Sequence, residues 1–333
     1  MPERGGLVAL SGGMDSALAL HLSLRRFDAV RAAYVHTGHG SPDHARKVAC
    51  HLGVNLEEID AVSQFEGLVA EPSRRMAENG LTPNPCALCN DRVKLGLTHS
   101  LLRNGETLVT GHYARVEKGR LLRGMQRRKD QSYFLSMVEP SVLARTWLPL
   151  GTWRKERVRE EVRRLGIPAG RRESMDLCFD VSGSRPEDGG EIVDLSTGEV
   201  VGEHHGLSGF TVGQRRGIGA HGRRMYVVSL DPVSARVYVG GGSDLMCSGC
   251  RVSDIVVHQG PLPEMFGAEV QVRYRHRPAP ARIVPVRSGL DVRFERPVRA
   301  VAPGQVGVVY DSDNVLVAGT ITRAVRLGGE LEA

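Results

Sequence analysis

Ser11-Gly12-Gly13-Met14-Asp15-Ser16 sets two glycines among two hydroxyls and a carboxylate within six residues. A short apolar run, Leu7-Val8-Ala9-Leu10, precedes it, and a helical pattern follows. Strand, small-residue loop and helix N-terminus in that order gather backbone N–H groups around one point. The positive end of a helix dipole lies there too, which suits a phosphate or pyrophosphate. The loop lacks the G-x-x-x-x-G-K-[ST] spacing and any lysine, so it is not a Walker A motif. An ordinary βα turn with a serine cap is the alternative reading of the same residues.

A second block carries sulfur. In Thr82-Pro83-Asn84-Pro85-Cys86-Ala87-Leu88-Cys89-Asn90 two prolines stiffen the approach to a helix marked by Asp91, Val93 and Leu97. A helix N-terminus lowers the pKa of a thiol and raises the thiolate fraction available for attack or ligation. Another cysteine lies in Ser174-Met175-Asp176-Leu177-Cys178-Phe179. Cys50, beside Val48 and Leu52 in a helical pattern, is expected in the core. Cys247-Ser248-Gly249-Cys250 could join Cys86 and Cys89 in a four-thiolate zinc site. Incidental cysteines at a strand edge are the plainer expectation for that pair.

These groups need elements to hold them. Leu7–Leu10, Val30–Val35 and Thr107–Thr110 read as strands; Asp15–Arg26, Pro42–Leu52 and Arg92–Arg103 read as helices. Alternating strands and helices predict an α/β domain with a parallel sheet, its ligands bound beyond the carboxyl ends of the strands. Thr152 is expected to cap a further helix with Val158, Val162 and Leu165 on one face. Arg154, Lys155, Arg157, Arg159, Arg163 and Arg164 form the opposite face, solvated or in touch with RNA backbone. From about Asp180 the texture turns to glycines, turns and short β-type runs. Val270, Val272, Tyr274 and His276 alternate with polar residues as in a half-buried strand. Arg282–Val286, Val292–Phe294, Gly307–Tyr310 and Val315–Ile321 continue that texture and predict a small C-terminal β-barrel or sandwich. The expected divisions are 1–170, 171–245 and 246–333.

The 333 residues are 41% hydrophobic and 25% charged, with mean hydropathy −0.21. No run approaches the ~20 apolar residues of a membrane span, and the N-terminus has no basic-then-apolar signal pattern, so a cytoplasmic protein with no membrane partner is expected. Net charge is +6. Eight arginines between Gln271 and Arg299 stand against Asp291 and Glu295, a patch suited to an anionic partner or to a solvated strand face. Arginine outnumbers lysine 39 to 5, so a position that keeps lysine hints at a need for a compact ammonium. Lys94 and Lys129 fall within motifs.

The Ser-Gly-Gly-x-Asp-Ser block resembles the PP-loop of enzymes that split ATP into AMP and pyrophosphate. With Thr82–Asn90, Gly111-His112-Tyr113-Ala114-Arg115, Lys129–Leu135, Cys178-Phe179, Gly202–Gly206, Phe210–Gly217 and Arg273-Tyr274-Arg275, the chain resembles the bacterial tRNA-specific 2-thiouridylases (the MnmA family) over nearly its whole length. The resemblance implies a PP-loop, Rossmann-like domain, a small central domain and a C-terminal β-barrel. It implies ATP and Mg²⁺ as cofactors, tRNA rather than DNA as substrate, and a cysteine-desulfurase-linked protein as sulfur donor. Ala9, Leu10, Ser11, Gly12, Gly13, Met14, Asp15, Ser16, Val35 and Gly111 would then hold the nucleotide, with Asp15 as a Mg²⁺ contact. Asn84, Pro85 and Cys86 would lie beside the target base. Lys129, Asp130 and Gln131, with Arg273 and Tyr274, would touch tRNA.

For sulfur the resemblance leaves two chemistries open. Cys178 would carry a persulfide and Cys89 would release it. Alternatively Cys86, which replaces an aspartate usual in the family, would join Cys89 and Cys178 in holding a 4Fe-4S cluster. Asp43 matches a family aspartate near the nucleotide, or is simply a helix N-terminal acid. A PP-loop ligase acting on a small substrate is the second functional reading; the basic barrel and paired cysteines argue against it. An RNA-binding module without catalysis would need a broken PP-loop or a missing Cys178, and both motifs are intact.

Overall fold

In chain order the N-terminal half supplies β1 (Gly5–Ala9), β2 (Ala29–His36), β3 (Leu56–Asp60), β4 (Glu106–Val109), the hairpin strands β5 (Ala114–Glu117) and β6 (Arg120–Arg123), and β7 (Thr146–Trp147). The structure, a computed structural model, describes residues 5–170, 189–219 and 222–328. Five of these strands form a parallel sheet in the order β3-β2-β1-β4-β7. Leu7, Val8, Leu108 and Val109 are fully buried, as strands covered on both faces require. The helix Met14–Leu24 packs Ala17, Leu18, Ala19 and Leu20 inward, and the helix Asp43–Leu52 packs Ala45, Val48 and Ala49. From β1 the chain moves outward through β2 to β3, then returns to place β4 on the other side of β1. That reversal opens a crevice above the ends of β1 and β4, where such sheets bind ligands.

The central sheet holds β8 (Gly190–Asp194), β9 (Val200–His204), β10 (Tyr226–Asp231) and β11 (Arg236–Gly240) in the order β10-β11-β8-β9. Next come β12 (Met246–Val257), β13 (Phe266–Gln271), β14 (Ala279–Val286), β15 (Gly289–Arg299), β16 (Val306–Asp311) and β17 (Asn314–Arg326). They pair antiparallel as β12-β15-β14-β13-β16-β17, and β12–β17 pairing closes the barrel. Closure leaves the six strands without a bare edge. Val252, Val270, Ile283, Leu290, Val292, Val309 and Val317 fill its interior.

The barrel is fastened to the N-terminal half. β6 adds to β17 at Leu122–Asn314. Leu121, Tyr133, Leu135 and Leu148 share one core with Val306, Val308, Tyr310 and Val315, each such side chain contributing roughly 1.5–3 kcal/mol by leaving water. A second fastening holds the segment before the cysteines. Thr82 N–H donates to the Pro303 carbonyl (2.7 Å), and Gln305 Nε2 donates to the carbonyls of Thr82 (3.2 Å) and Pro83 (2.9 Å). Gly304 has φ +93°, and a Cβ there would sit 2.7–2.9 Å from the Thr82 backbone.

Several expectations need correction. The alternation through His276 is not strand: β13 ends at Gln271, and Arg273–His276 turns back, with Arg275 at φ 67° and His276 N–H on the Arg273 carbonyl. Arg154, not Thr152, is the residue before the helix Lys155–Arg164; Thr152 ends a 3₁₀ turn, Pro149–Thr152. Cys50 is exposed, because the inward stripe is 45, 48, 49 and 52, and residue 50 points the other way. Cys247 and Cys250 are in the barrel core rather than at an edge, and among the described residues no zinc site joins them to Cys86 and Cys89. The cysteine helix starts at Pro85, earlier than Arg92, and runs as Pro85–Leu88, a π-helical stretch Cys89–Leu95 and Gly96–Ser100.

Gly304→Ala should lower stability by about 1–3 kcal/mol, since it adds a Cβ at a positive φ against backbone that cannot yield. Thermal denaturation measures this, and a variant as stable as wild type would show the fastening to be slack.

Candidate active site

β1 ends in the Ser11–Ser16 loop, and the residue before the helix Met14–Leu24 is Gly13, in extended conformation with no side-chain cap. The serine-cap alternative therefore does not hold. Ser16 Oγ instead donates to the Gly13 carbonyl (3.0 Å) and accepts from Ser11 N–H (3.2 Å). Gly13 has no side chain with which to cap the first helical N–H groups, which leaves a helix N-terminus suited to an anion. Gly12, at φ +80°, passes so close to Ala45 N that a Cβ would lie 2.5 Å away. Gly170 N–H donates to the Gly12 carbonyl (2.8 Å), fastening the loop from below.

Ala9, Leu10, Ser11, Asp15, Ser16, Val35 and Gly111 line one cavity above the β1/β4 crevice. Gly12, Gly13 and Met14 shape the turn without lining it. Gly111 is a glycine of close approach: a Cβ would stand 2.6–2.8 Å from the Asp15 and Ser16 backbone. Asp43 lies outside the cavity lining, exposed at its helix N-terminus, where Ser41 and Arg46 hold its carboxyl below the usual range. The helix-acid reading of Asp43 stands.

Asp15 is tied down. Lys155 Nζ donates to both carboxylate oxygens (2.8 and 2.7 Å), and the Tyr113 hydroxyl donates to Oδ1 (2.7 Å). Lys155 is 3% exposed, so it leaves the solvated basic face on which the sequence pattern had set it. Both carboxylate oxygens are thus engaged, although the side chain stays 20% exposed on the cavity wall. Among the described residues no three His, Cys, Asp or Glu side chains cluster to hold a metal ion. These residues fit a cation brought in on the nucleotide better than one held by Asp15. His112 keeps one edge on the cavity, and Thr110 Oγ1 bonds its Nδ1 (2.8 Å). Desolvation and the charge of Lys94 push the imidazole down to about 3, so it is neutral at physiological pH.

The thiols adjoin this cavity through shared neighbours. Val35 lines the cavity and also packs against the cluster of Ala61, Phe65, Val69, Val93 and Cys89. Leu95, on the cysteine helix, lines the cavity as well. Asn84 Oδ1 accepts Ala87 N–H (3.2 Å) and so starts that helix. Cys86 is half-buried; Cys89 is 5% exposed, turned toward the apolar cluster. Cys178 lies outside the described residues.

Three family models cover the chain: a tRNA methyl transferase HUP domain at residues 6–182, a tRNA methyl transferase PRC-barrel domain at 181–241, and an aminomethyltransferase beta-barrel domain at 247–321. The tRNA-specific 2-thiouridylase MnmA of Thermotoga sp. (strain RQ2) is 37% identical, over 96% of this chain and 99% of that protein. The protein of the same name from Sorangium cellulosum is 40% identical over 96% of this chain and 92% of its own length. This chain belongs to the tRNA-specific 2-thiouridylase family. The U34-tRNA thiolase NcsA of Methanococcus maripaludis, a solved structure, matches with a TM-score of 0.37 at 15% identity, over 55% of this chain and 64% of that chain, too slight a likeness to bear on function.

Within that family frame, two residues expected on the tRNA side are buried. Asp130 accepts from Gly124 N–H (2.8 Å), Ser132 N–H (3.0 Å) and Ser132 Oγ (2.9 Å). Gln131 Oε1 accepts Tyr113 N–H (2.8 Å), and the residue lines the same cavity as Ser11 and Gly111. Only Lys129 of that tripeptide is partly exposed. Arg273 donates to the Val212 carbonyl (3.1 Å), joining the turn after β13 to the loop between β9 and β10, while Tyr274 packs at a tilt on Phe134 (4.3 Å between centroids). Seven arginines, at 275, 277, 282, 287, 293, 296 and 299, are exposed on the barrel. Sequence reasoning missed Tyr113, Lys155, Phe134 and Gln305. The scarcity of lysine was a usable signal for Lys155; Tyr113 and Phe134 lay within quoted motifs without a role, and nothing local marked Gln305.

Gly111→Ala should weaken ATP binding about tenfold, because overpacking against the Asp15 backbone displaces the anion site. Isothermal titration calorimetry measures it. ATP affinity should also show no histidine step between about pH 5 and about pH 8 from His112, since its folded pKa lies below that window. A His112→Asn variant with a different pH profile would contradict this.

Proposed function

We propose that this protein is an ATP-dependent tRNA-specific 2-thiouridylase that converts the wobble uridine of certain tRNAs to 2-thiouridine. The observation that carries the reading is the meeting of an anion-binding loop and a Cys86-x-x-Cys89 helix across Val35 and Leu95. Methyl transfer, which two of the family models' descriptions suggest, has no use for an ATP-splitting loop beside paired thiols.

The carbonyl oxygen at C2 of uridine is a poor leaving group. It attacks the α-phosphorus of ATP, the bond to the β-phosphate breaks, and pyrophosphate departs from the helix N-terminus at Asp15 and Ser16. A sulfur nucleophile then adds to C2, the C2–O bond breaks, and AMP leaves. Neutral His112 and the gripped Asp15 keep the cavity from adding negative charge beside the phosphates. The exposed arginines of the barrel and Lys129 attract the tRNA backbone, and Asn84, Pro85 and Cys86 adjoin the base.

In the persulfide reading, the outer sulfur of the Cys178 persulfide adds to C2. The Cys89 thiolate attacks the Cys178 sulfur, the old S–S bond breaks with its electron pair going to the sulfur on C2, and a Cys89–Cys178 disulfide is left for cellular thiols to reduce. The partner is then a sulfur-donor protein linked to a cysteine desulfurase. A second reading is favoured by Cys86, whose half-buried thiol is more open than that of Cys89. Cys86, Cys89 and Cys178 would hold a 4Fe-4S cluster with one iron open, which when bound supplies a site for sulfide.

Cys178→Ala should abolish 2-thiouridine formation, read by nucleoside mass spectrometry, while ATP binding persists. Full-rate thiolation by that variant would overturn the assignment, and tRNA-independent pyrophosphate release at unchanged rate would favour a small substrate. Iron and sulfide analysis after anaerobic purification separates the sulfur chemistries; iron-free enzyme active with a persulfide donor ends the cluster reading. Replacing Arg275 and Arg277 by alanine should lower the salt slope of tRNA binding by about one for each phosphate left unneutralised. An unchanged slope returns that surface to a solvated role.

A further inference from the structure

Lys155 is a buried cation that the adenylation chemistry above does not use. It is one of five lysines in a chain with 39 arginines, and it sits 3% exposed against Asp15. Its place is set rigidly. Lys155 N–H donates to Gln126 Oε1 (2.8 Å), and Val158 and Val162 bury the same helix in the core shared with Leu18 and Leu20. From there the ammonium reaches both Asp15 oxygens, with the Tyr113 hydroxyl on Oδ1. Asp15 stands in the first turn of the helix whose N–H groups face the cavity.

An uncompensated carboxylate at that position would compete with a phosphate for the positive end of the helix and repel it. Pairing removes the repulsion and turns the carboxylate toward Lys155. A compact ammonium does this within a buried space, where a planar guanidinium is a larger group. We propose that Lys155 is a positioning residue of the nucleotide site: by neutralising and orienting Asp15 it keeps the Ser11–Ser16 loop attractive to a triphosphate and to departing pyrophosphate, without touching the phosphates itself. The inference rests on the nucleotide-site reading above.

Calorimetry of the full chain with inorganic pyrophosphate, ATP and adenosine tests it. Lys155→Met should weaken pyrophosphate and ATP binding about tenfold and leave adenosine binding within about twofold, because only the charged ligands meet the exposed Asp15 carboxylate. Adding Asp15→Asn to Lys155→Met should restore pyrophosphate affinity to that of Asp15→Asn alone, since no charge is left to neutralise. A double variant that stays tenfold weaker than Asp15→Asn would mean the ammonium acts on the phosphates directly, and overturns the proposal. Equal loss of adenosine and pyrophosphate in Lys155→Met, with a lowered melting temperature, would make the pair structural and overturn it too. If Lys155→Met does not fold, the comparison of Asp15→Asn with the double variant decides alone. Wild-type protein that binds neither ATP nor pyrophosphate would refute the nucleotide-site reading itself.

Discussion

The closeness of the β4 end to the first turn of the helix after β1 is the constraint on which the site depends. Gly111 passes the Asp15 backbone at a separation that excludes even a methyl group. Helix N-terminus, β1 end and β4 end therefore share one wall, and the cavity between them is narrow enough for backbone N–H groups to face a phosphate. Any side chain at 111 would hold the two strand ends apart. Val35 on β2 and Leu95 on the cysteine helix complete the enclosure, so this cavity and the thiol-bearing helix are neighbours by packing.

The barrel extends this arrangement to the far side. It closes on itself and still takes β6 as an added strand, and Tyr133 and Tyr310 seal the joint core. Pro303, Gly304 and Gln305 hold Thr82 and Pro83 by backbone and amide hydrogen bonds. The segment that starts the cysteine helix is thus anchored by residues more than two hundred positions away. Tyr274 on Phe134 and Arg273 on Val212 bind the turn after β13 to the helix Ser132–Leu135 and to the loop between β9 and β10. A basic surface carried on a loose module would attract RNA without bringing a base to the thiols; this one is built onto the catalytic half.

Two carboxylates of this half, Asp130 and Asp15, are matched by donors rather than left to water. Asp130 is buried with three hydrogen-bond donors, which offset the desolvation that raises its pKa. Asp15 has Lys155 and Tyr113. Buried carboxylates without such partners would carry penalties of several kcal/mol each, so these networks fix the loops between β4 and the helix Lys155–Arg164 in one arrangement.

How much was legible in the sequence follows from the range of the interactions. The Ser11–Ser16 loop, its flanking strand and helix, and the cysteine block are local patterns whose residue types dictate backbone behaviour within a few positions. They were readable, as was the β-rich texture of the C-terminal half. Local pattern misled where tertiary contacts prevailed. Tyr274 keeps the alternation of a strand but folds into a turn to meet Phe134, Lys155 sits in a basic stretch but turns inward to Asp15, and Cys50 keeps a core-like neighbourhood yet faces out. The sequence by itself determined which groups could bind phosphate and carry sulfur, because those capacities belong to residue types and short spacings. Only the tertiary structure decided which of them face one another, because charge pairing, close approach at Gly111 and the anchoring of Thr82 by Gly304 join residues far apart along the chain.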